Sequence, residues 1–571
     1  CAHKMMFSRQ GGYYFTLTIK PYPRYLPYRT AMVRYPTIEE LKEIVSIDSG
    51  GFRIGELIIG GIKVATQDQS VGIKYIPFRF NLERLDNKRT AVFGQSGYGK
   101  SNLTKTLITG YALYNPRKGI CIFDRSGEYI NESEWSKSLS EVKPLTGEGN
   151  TPLGNDTGVK ERGRIIAIDV SRVRVDLREI EGEKIVEFFM TERDVTRVGV
   201  EYFAYFSEED KVKIIESIAE WGNNRDDTRK FEECKNILKN ALQNVGASNI
   251  EKMLPSLLRI LRRVVRQYHT PNSPIPKELL RWIREGKIVV FNLANVSDDI
   301  INRLTRFIVN EVIESNSLDY INQRTPTECL FLIEEAQNFL SPEQIKESTD
   351  PVVRLAKEGR KYKLGLIYVT QQPGAIDDSI LSQTNNFFVM HLLANQDVRK
   401  LCNVAPQYEL VADNIQQEPA RGVAYIYSNV YEGILKPFPL VISAEIENFN
   451  NVVAVVNSKP SIFVKPANTK VEVEEAFLNV VKELVEVNET VSIVWQDFWR
   501  RVNKLIPDGN PYKNNYGKGK PYPDIRIISA LEEKFSVIKI DNKEYKITPV
   551  KNEKGLTERY VIQLINMMDV E

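Results

Sequence analysis

The sequence predicts an α/β protein built on a mostly parallel β-sheet, with a smaller domain at each end. Three observations support this prediction. Between residues 86 and 450, apolar β-branched runs alternate with helical stretches, which is the pattern of buried parallel strands joined by helices. One such run leads directly into a glycine-rich loop and a helix. The chain has 571 residues, and because a single hydrophobic core stops growing near about 250 to 300 residues, more than one domain is expected.

The composition is that of a globular protein without an overall charge bias. Hydrophobic residues make up 42% and charged residues 27%, and 77 Lys and Arg nearly balance 75 Asp and Glu. This balance excludes a uniformly basic coat for nucleic acid, so any polyanion site must be local. No stretch reaches the roughly 18 apolar residues of a spanning helix, and no signal peptide is evident. A cytoplasmic location is expected, with docking at the membrane as an option; since the chain begins at Cys1, a trimmed anchor is an alternative.

The cysteines predict neither a disulfide framework nor a zinc site. They are odd in number, widely separated and form no CxxC pair, which indicates a reducing compartment. The five are Cys1, Cys121, Cys234, Cys329 and Cys402.

The first 85 residues are expected to form a small β-rich or mixed domain. Short alternating runs such as YYFTLTIK and GELIIGGIKVA are broken there by Pro and Gly. The next region, residues 86–450, contains the apolar runs that predict the parallel strands. In chain order they are RTAVF, GICIFD, RIIAIDV, KIVVFNL, ECLFLIEE, LGLIYVT and NNFFVMHL.

A mostly helical insertion is predicted over about residues 182–286, between the third and fourth of these strands. In its segment LPSLLRILRRVVRQYH, four arginines at i, i+3, i+4 and i+7 share one helical face. This face is either a solvated surface or a track for DNA phosphates. The four are Arg259, Arg262, Arg263 and Arg266.

Residues 451–571 are expected to form an α+β domain that resembles a winged helix. Three helical segments, VEEAFLNVVKELVEV, VSIVWQDFWRRVNKLI and DIRIISALEEKF, precede two strands with a turn at Asp541 and Asn542. Winged helices contact DNA or other proteins, and the sequence leaves both alternatives open.

The glycine-rich loop GQSGYGKS predicts a site for a nucleoside triphosphate and Mg²⁺. It fits G-x-x-x-x-G-K-[ST] and lies between a strand and a helix that starts near Asn102. Bare glycines let backbone N–H groups close around the phosphates, Lys100 reaches the outer phosphates, and the Ser101 hydroxyl binds the metal. A structural glycine-rich turn is the alternative. The loop consists of Gly94, Gln95, Ser96, Gly97, Tyr98, Gly99, Lys100 and Ser101, and these residues together with Asn102 are expected to contact the nucleotide.

Polar residues at the ends of two later strands supply the remaining chemistry. Glu334 is expected beside the metal, and Glu335 as the base for the attacking water, unless the two acids simply begin a helix. Gln371 ends the next strand, where it either senses the γ-phosphate or caps a loop. Arg360 and Arg89 offer cations for developing phosphate charge, although most arginines only solubilise a surface.

Five motifs, taken in order, resemble those of the HerA/FtsK superfamily of ring-forming DNA motors over about residues 85–445. They are GQSGYGKS, IFDRSGEY, LFLIEEAQNF, EGRKYKLGLIYVTQQP and ILSQTNNFFVMHL. HerA-like archaeal and type IV secretion ATPases are the most similar members. The resemblance implies a RecA-like fold, a hexameric homo-oligomer, and double-stranded DNA passed through a central pore at the expense of ATP.

The resemblance also implies roles for the candidate residues. Lys100 and Ser101 match the binders of phosphate and metal. Glu334 matches the acid on the metal side, and Glu335 matches the catalytic glutamate. Gln371 matches the sensor residue.

Four further positions match the family, and one departs from it. Arg360 matches an arginine near the γ-phosphate, and Arg89 is the candidate for an arginine that acts across the subunit interface. Asp124 and Glu128 match acidic positions close to the nucleotide. Gln337 stands where HerA proteins commonly have His, so any role of that histidine in coupling is absent or altered.

The front end of the chain decides between possible biological roles. Residues 1–85 lack the glycine-punctuated barrel with which HerA proteins dock the nuclease NurA. A DNA import or transfer motor at a membrane channel, similar to archaeal Ced-type or type IV secretion ATPases, is therefore the first hypothesis. A helicase in DNA break repair with a NurA-type nuclease is the second. A protein-remodelling or pilus-assembly ATPase that does not touch DNA is the third.

Overall fold

The computed structural model describes most of the chain in two compact units, Cys1–Phe463 and Val464–Glu571. The described residues are 2–7, 13–18, 51–59, 62–63, 65–68, 72–131, 137–146, 158–223, 228–346, 349–429, 440–443, 449–458, 469–485, 490–506, 528, 531–532, 537–540, 543–551 and 557–564.

The strands of the described residues are β1 (Ala2–Phe7), β2 (Tyr13–Thr18), β3 (Phe52–Ile59), β4 (Ile62–Lys63), β5 (Ala65–Asp68), β6 (Gly72–Tyr75), β7 (Pro77–Phe80), β8 (Arg89–Phe93), β9 (Gly119–Asp124), β10 (Val159–Arg162), β11 (Ile165–Asp169), β12 (Ile288–Asn292), β13 (Cys329–Ile333), β14 (Leu364–Thr370), β15 (Asn386–Val389), β16 (Val423–Ser428), β17 (Leu440–Ser443), β18 (Thr490–Val494), β19 (Val537–Ile540), β20 (Lys543–Lys551) and β21 (Thr557–Leu564).

The α-helices of the described residues are α1 (Lys100–Tyr114), α2 (Lys143–Thr146), α3 (Gly182–Phe189), α4 (Glu192–Val195), α5 (Val200–Phe203), α6 (Glu208–Asn223), α7 (Thr228–Asn244), α8 (Ile250–Tyr268), α9 (Leu279–Arg284), α10 (Asp298–Ile321), α11 (Gln337–Leu340), α12 (Pro342–Ile345), α13 (Pro351–Glu358), α14 (Asp378–Leu381), α15 (Asn395–Val404), α16 (Ala412–Gln417), α17 (Phe449–Ser458), α18 (Thr469–Val485) and α19 (Trp495–Leu505).

The large sheet of the first unit has a parallel centre. β11, β12, β9, β13, β14, β8 and β15 lie side by side in that order, and each neighbouring pair is parallel. These strands are the apolar runs predicted from the sequence, and the predicted α/β fold class is confirmed. β9, β13 and β14 are buried along their whole length, which explains why their sequences are nearly unbroken apolar runs.

Antiparallel strands extend this centre on both sides. β10 pairs with β11 at one edge, while β16, β17 and β3 follow β15 at the other, and β7 pairs with β3. β3 and β7 therefore belong to the large sheet, and a boundary at residue 85 does not separate them from it, whereas β5 and β6 pair with each other. The reason is packing: the Phe80 ring lies 5.2 Å from the Phe388 ring of β15, and Leu57 and Phe78 share the same core. Most of residues 1–50 lie outside the described ranges. Among the described residues of this stretch, β1 pairs with β2.

The strand order decides which loops meet. β8 lies between β14 and β15, and β13 lies between β14 and β9. Because these five strands are parallel, the loops that follow them gather at one edge of the sheet. We call this the carboxyl edge, and the opposite edge, where the strands begin, the amino edge.

The inserted region between β11 and β12 contains helices α3 to α9. Its arginine-bearing face, on α8, is partly engaged within the chain. The guanidinium of Arg262 lies 3.9 Å from the centroid of the Trp221 ring, and Arg263 pairs with an aspartate of α4. Arg259 and Arg266 are exposed. The choice between a solvated face and a DNA track therefore concerns mainly these two arginines.

The second unit has a core of its own and an antiparallel sheet in the order β18-β21-β20-β19. Trp499 of α19 is fully buried there against Phe477 and Tyr560. The second predicted helix begins later than expected, because Thr490–Val494 forms β18 and pairs with β21. The turn predicted at residues 541 and 542 and most of the third predicted helix lie outside the described residues. The winged-helix assignment stays a prediction.

Helix α17 packs on the first unit, beyond the boundary predicted at residue 450. The side-chain amide of Asn457 donates to the backbone carbonyl of Glu141 at 2.8 Å, and the two units divide after Phe463. Within the described residues, no helix has both the length and the apolar character that crossing a bilayer requires.

Candidate nucleotide-binding site

The glycine-rich loop turns sharply between β8 and α1. Gly97 and Gly99 have φ angles of 80° and 100°, a left-handed region that glycine enters without steric cost. Gly99 is also the residue that precedes the first turn of α1, and a Cβ placed on it would lie 3.4 Å from the Cα of Gly422. The free N–H groups of the helix N-terminus thus follow directly on a loop of minimal bulk, as phosphate binding requires.

Neighbouring segments at the carboxyl edge brace this loop. The backbone N–H of Gln95 donates to the carbonyl of His391 at 2.9 Å, and that of Gly422 donates to the carbonyl of Tyr98 at 3.0 Å. The Tyr98 ring stacks on the His391 ring with centroids 4.4 Å apart. Ser96 remains exposed at the tip. The loop is therefore held in shape before any ligand binds.

Lys100 folds back onto the loop. Its Nζ donates to the carbonyls of Gly94 and Gln95 at 2.8 and 2.9 Å. Burial lowers the pKa of Lys100, whereas the negative charges of Glu335 and Glu334 act in the opposite direction. Two of the predicted acids are thus electrostatic neighbours of the P-loop lysine.

Asn102, in the first turn of α1, contacts a segment that is distant in sequence. Its side-chain oxygen accepts a hydrogen bond from the backbone N–H of Phe449, the first residue of α17. This contact ties the first turn of α1 to the end of the first unit. A contact of Asn102 with nucleotide stays a prediction.

Asp124 ends β9 and organises the turn that follows it. Its carboxylate accepts the backbone N–H groups of Gly127, Glu128 and Tyr129 at 2.7, 3.2 and 3.0 Å. The side chain is inaccessible to solvent, and burial raises the pKa of Asp124 to about 6 despite these donors. Asp124 therefore acts on the site by shaping the turn, while Glu128 is exposed.

Glu334 follows β13 and has the properties expected of a cation-binding carboxyl group. Burial, followed by the charges of Asp124 and Glu128, raises the pKa of Glu334 to about 8. The backbone N–H of Arg125 donates to its carboxylate at 3.1 Å. A carboxylate together with the hydroxyl of Ser101 is a donor set of hard oxygens, which fits Mg²⁺. The residues thus fit the predicted metal, and its binding stays a proposal.

Glu335 has an unusual backbone and a fixed carboxylate. Its φ angle is 50°, in the left-handed region, two residues after the end of a fully buried strand. One carboxylate oxygen accepts the side-chain amide of Gln337 at 2.6 Å, and the other accepts that of Gln371 at 3.3 Å. The Thr370 hydroxyl donates to the amide oxygen of Gln337 at 2.7 Å and accepts the backbone N–H of Gln372 at 2.9 Å. Gln371 and Glu335 are therefore brought together, and the role of Gln371 as a sensor of the γ-phosphate stays a prediction.

An open polar cavity of about 520 Å³ lies between Gln95 of the loop and the segment that contains Gln371 and Gln372. Its lining joins the P-loop, the segment after β14 and the first turns of α15. The lining residues are Gln95, Gln371, Gln372, Gly374, Ala375, Ala394, Gln396, Asp397 and Lys400.

Arg89 and Arg360 lie at the amino edge, away from the other candidates. Arg89 begins β8, and at roughly 3.3 Å per residue its backbone is on the order of 13 Å from Phe93, where the P-loop starts. Arg360 lies in the turn Gly359–Tyr362, just before β14 begins. Arg360 is therefore remote from the P-loop of its own chain, and its position near a γ-phosphate stays a prediction.

The two arginines also differ in what they contact. Arg89 donates to three backbone carbonyls, those of Ala356 and Lys357 at the end of α13 and, at 3.0 Å, that of Gln383. Arg360 is exposed, and none of the described carboxylates pairs with it. Arg89 thus caps a helix, whereas Arg360 is presented to solvent.

Comparison with known proteins agrees with this geometry. The family model for the central domain of helicase HerA matches residues 52–312. The chain is 24% identical over 452 residues to the DNA double-strand break repair helicase HerA of Sulfurisphaera tokodaii, which covers 78% of each chain. The protein of the same name from Sulfolobus acidocaldarius is 24% identical over 69% of this chain and 68% of its own. Residues 52–312 therefore carry a domain of the HerA central type, and the chain is an ATP-hydrolysing P-loop enzyme.

Two solved structures overlap with this P-loop ATPase. The bacterial conjugative coupling protein TrwB has a TM-score of 0.38 and 14% identity, over 72% of this chain and 92% of its own. VirB4 of Thermoanaerobacter pseudethanolicus has a TM-score of 0.35 and 13% identity, over 69% and 96%.

Several residues of this ATP-hydrolysing enzyme were not predicted as part of the site. Thr370 contacts Gln337, and His391 and Gly422 contact the P-loop, from strands or loops far away in sequence. Gln337 was noticed only as a departure from the family pattern. Its spacing of two residues from Glu335, on the first turn of a helix, is the signal that could have revealed the contact.

Proposed function

We propose that this ATPase couples ATP hydrolysis to the movement of double-stranded DNA and works as a ring of identical chains, with six as the expected number. The observation that carries the hydrolytic part is the arrangement at the carboxyl edge. The P-loop lies between β14 and β15, and Glu335 is held by Gln337 and Gln371 on the side of Lys100. The names of the curated relatives support the DNA part.

In the proposed reaction, Glu335 takes a proton from water while the water oxygen bonds to the γ-phosphorus of ATP. The bond from that phosphorus to the bridging oxygen breaks, and ADP leaves with the electron pair. Lys100 binds the outer phosphates, Ser101 and Glu334 hold Mg²⁺, and Gln371 senses the γ-phosphate. Mg²⁺ offsets phosphate charge when it is bound.

Arg360 is proposed to complete the site of a neighbouring copy. It is exposed at the amino edge and has no described carboxylate partner, so it is available to another chain. Arg89, proposed from the sequence for this task, is occupied by three carbonyls. Arg89 therefore serves the neighbour only indirectly, through the helix that leads into Arg360.

The chemistry is tested by exchanging single groups in the full chain. Glu335→Gln removes the base and keeps the shape, so ATP binding is expected to persist while turnover disappears. Lys100→Ala is expected to weaken both. Glu209→Gln, an exposed acid of α6, is the matched control and should behave as wild type. Turnover retained in Glu335→Gln would refute Glu335 as the base.

The DNA part is tested by adding duplex DNA at modest salt, because phosphate contacts are screened at high salt. Stimulation of ATP hydrolysis is expected. Without stimulation, a protein-remodelling or pilus-assembly ATPase becomes the better interpretation.

Two finer roles are distinguished by partner and location. The names of the curated relatives favour DNA break repair, in which co-purification with a NurA-type nuclease is expected. The proposal of a DNA import motor at a membrane-channel protein predicts instead that the full-length protein fractionates with membranes. The two experiments together decide between these roles.

A further inference from the structure

We propose that Gln337 and Thr370 form a fixed clamp on the carboxylate of Glu335, and that Gln371 is the exchangeable partner which leaves that carboxylate when ATP binds. Gln337 is then a positioning residue for hydrolysis. This inference rests on the proposed function of Glu335 as the base.

The lengths of the hydrogen bonds distinguish the two glutamines. The amide of Gln337 lies 2.6 Å from one oxygen of Glu335, which is short even for a bond to a charged acceptor. The amide of Gln371 lies 3.3 Å from the other oxygen, beyond the usual range for N–H···O bonds. The hydrogen bond from Gln371 is therefore the weaker of the two. When it breaks, the Glu335 oxygen that it occupied becomes available to water.

The clamp is supported from behind. The amide oxygen of Gln337 accepts the hydroxyl of Thr370, a residue only 1% exposed, and that hydroxyl accepts the backbone N–H of Gln372. Each donor in this chain polarises the next, so the amide N–H that faces Glu335 is strengthened. Thr370 is the last residue of β14, while the backbone N–H of Ala336 donates to the carbonyl of Val369 at 3.0 Å. The clamp thus joins the ends of two central strands.

The backbone of Glu335 makes this contact possible. Its left-handed conformation turns the chain from β13 into α11, so that the side chain two residues later reaches back to the carboxylate. Such a conformation costs a residue other than glycine roughly 1 to 3 kcal/mol and persists where surrounding contacts hold it. The clamp supplies such contacts at this position.

The proposal is tested by kinetics on the full chain with Gln337→Ala and Gln337→Met, the second of which keeps the volume of the side chain. Both are expected to lower kcat about tenfold or more, the factor for one lost hydrogen bond to a charged group. KM for ATP and the affinity for a non-hydrolysable analogue should stay within about twofold. Asn338→Ala, an amide truncation at the next position, is the control and should match wild type.

Thr370 supplies the test that separates the clamp from general packing. Thr370→Val should lower kcat, and Thr370→Ser, which keeps the hydroxyl, should restore it. Because Thr370 acts through Gln337, the double variant Gln337→Ala/Thr370→Val should be no slower than Gln337→Ala alone. Effects of Gln371→Ala should instead multiply with those of Gln337→Ala.

Three results would overturn the inference. They are Gln337 variants that behave as Asn338→Ala, a raised KM with unchanged kcat, or Thr370 and Gln337 effects that multiply. The failure of the proposed function is seen separately, since Glu335→Gln would then still hydrolyse ATP. If Glu335→Gln is inactive while the Gln337 variants are fully active, only the clamp is refuted.

Discussion

Glu335 combines a strained backbone with a side chain held at both oxygens. A left-handed conformation is expensive for a residue with a Cβ, yet here it occurs two residues after the end of a fully buried strand. The acids at positions 334 and 335 could be predicted, because an apolar run that ends in two carboxylates delivers them to the edge of a sheet. Gln371, which donates to Glu335, follows another strand, and Thr370, which donates to Gln337, ends that strand. No local pattern could therefore show which of these atoms meet.

Two glycines of the P-loop offer a comparison at the same scale. Gly97→Ala and Gly99→Ala place a Cβ on backbones of similar left-handed conformation, which costs roughly 1 to 2 kcal/mol and predicts about tenfold weaker ATP binding. At Gly99 the new Cβ would lie 3.4 Å from the Cα of Gly422, an ordinary van der Waals contact, and at Gly97 it would meet nothing within 4 Å, so neither variant adds a clash. Gly97→Ala and Gly99→Ala should therefore lose affinity for a nucleotide analogue to a similar extent, as measured by titration. A much larger loss in one of them would show that backbone strain alone does not explain the effect.

At the scale of elements, helix α13 connects the two edges of the sheet. Asp350 caps its start through the backbone N–H groups of Val352 and Val353, and Arg89 holds carbonyls at its end. From the sequence, Arg89 was a candidate catalytic residue because it precedes the P-loop. Strand direction alone places it at the amino edge, so its true position was within reach of sequence reasoning, whereas its carbonyl partners, more than 250 residues away, were not.

Arg89→Ala should act on stability before it acts on chemistry. It leaves the last carbonyls of α13 without their donor, so the Tm without nucleotide should fall by a few degrees, and turnover should fall with it. Arg360→Ala should leave Tm within about one degree and still abolish turnover.

Arg117→Ala is the control, since Arg117 is an exposed arginine just before β9. A Tm of Arg89→Ala equal to that of Arg117→Ala would contradict the capping role. Thermal unfolding of the three variants beside wild type makes the comparison.

At the scale of the whole molecule, the parallel centre of the sheet was predictable and its flanks were not. Strands buried on both faces carry their own signal in apolar runs. The antiparallel flank is built from pairings such as that of Leu57 with Ile442, which no periodicity reveals. For the same reason, residues 52–80 looked like part of a separate domain. The C-terminal unit was predicted as α+β, but β18 was hidden inside a helix-like run.

The separation of the P-loop from Arg360 predicts complementation between chains. Lys100→Ala and Arg360→Ala should each be inactive alone. When they are mixed, a site formed by the P-loop of one variant and the arginine of the other is complete, which is about one quarter of the contacts in an equal random mixture. Recovery of ATP hydrolysis on mixing is expected. If Arg360 served its own chain, the mixture would stay inactive.

Because the P-loop and Arg360 lie at opposite edges of one sheet, the number of complete sites depends on how many copies are joined. An open row of copies leaves one P-loop without an arginine at one end and one arginine without a P-loop at the other. Only a closed ring completes every site. Turnover per chain should therefore climb as copies are added and fall when the protein is diluted, even at saturating ATP. The enzyme is then least active as separate chains, and ATP is hydrolysed mainly by closed assemblies.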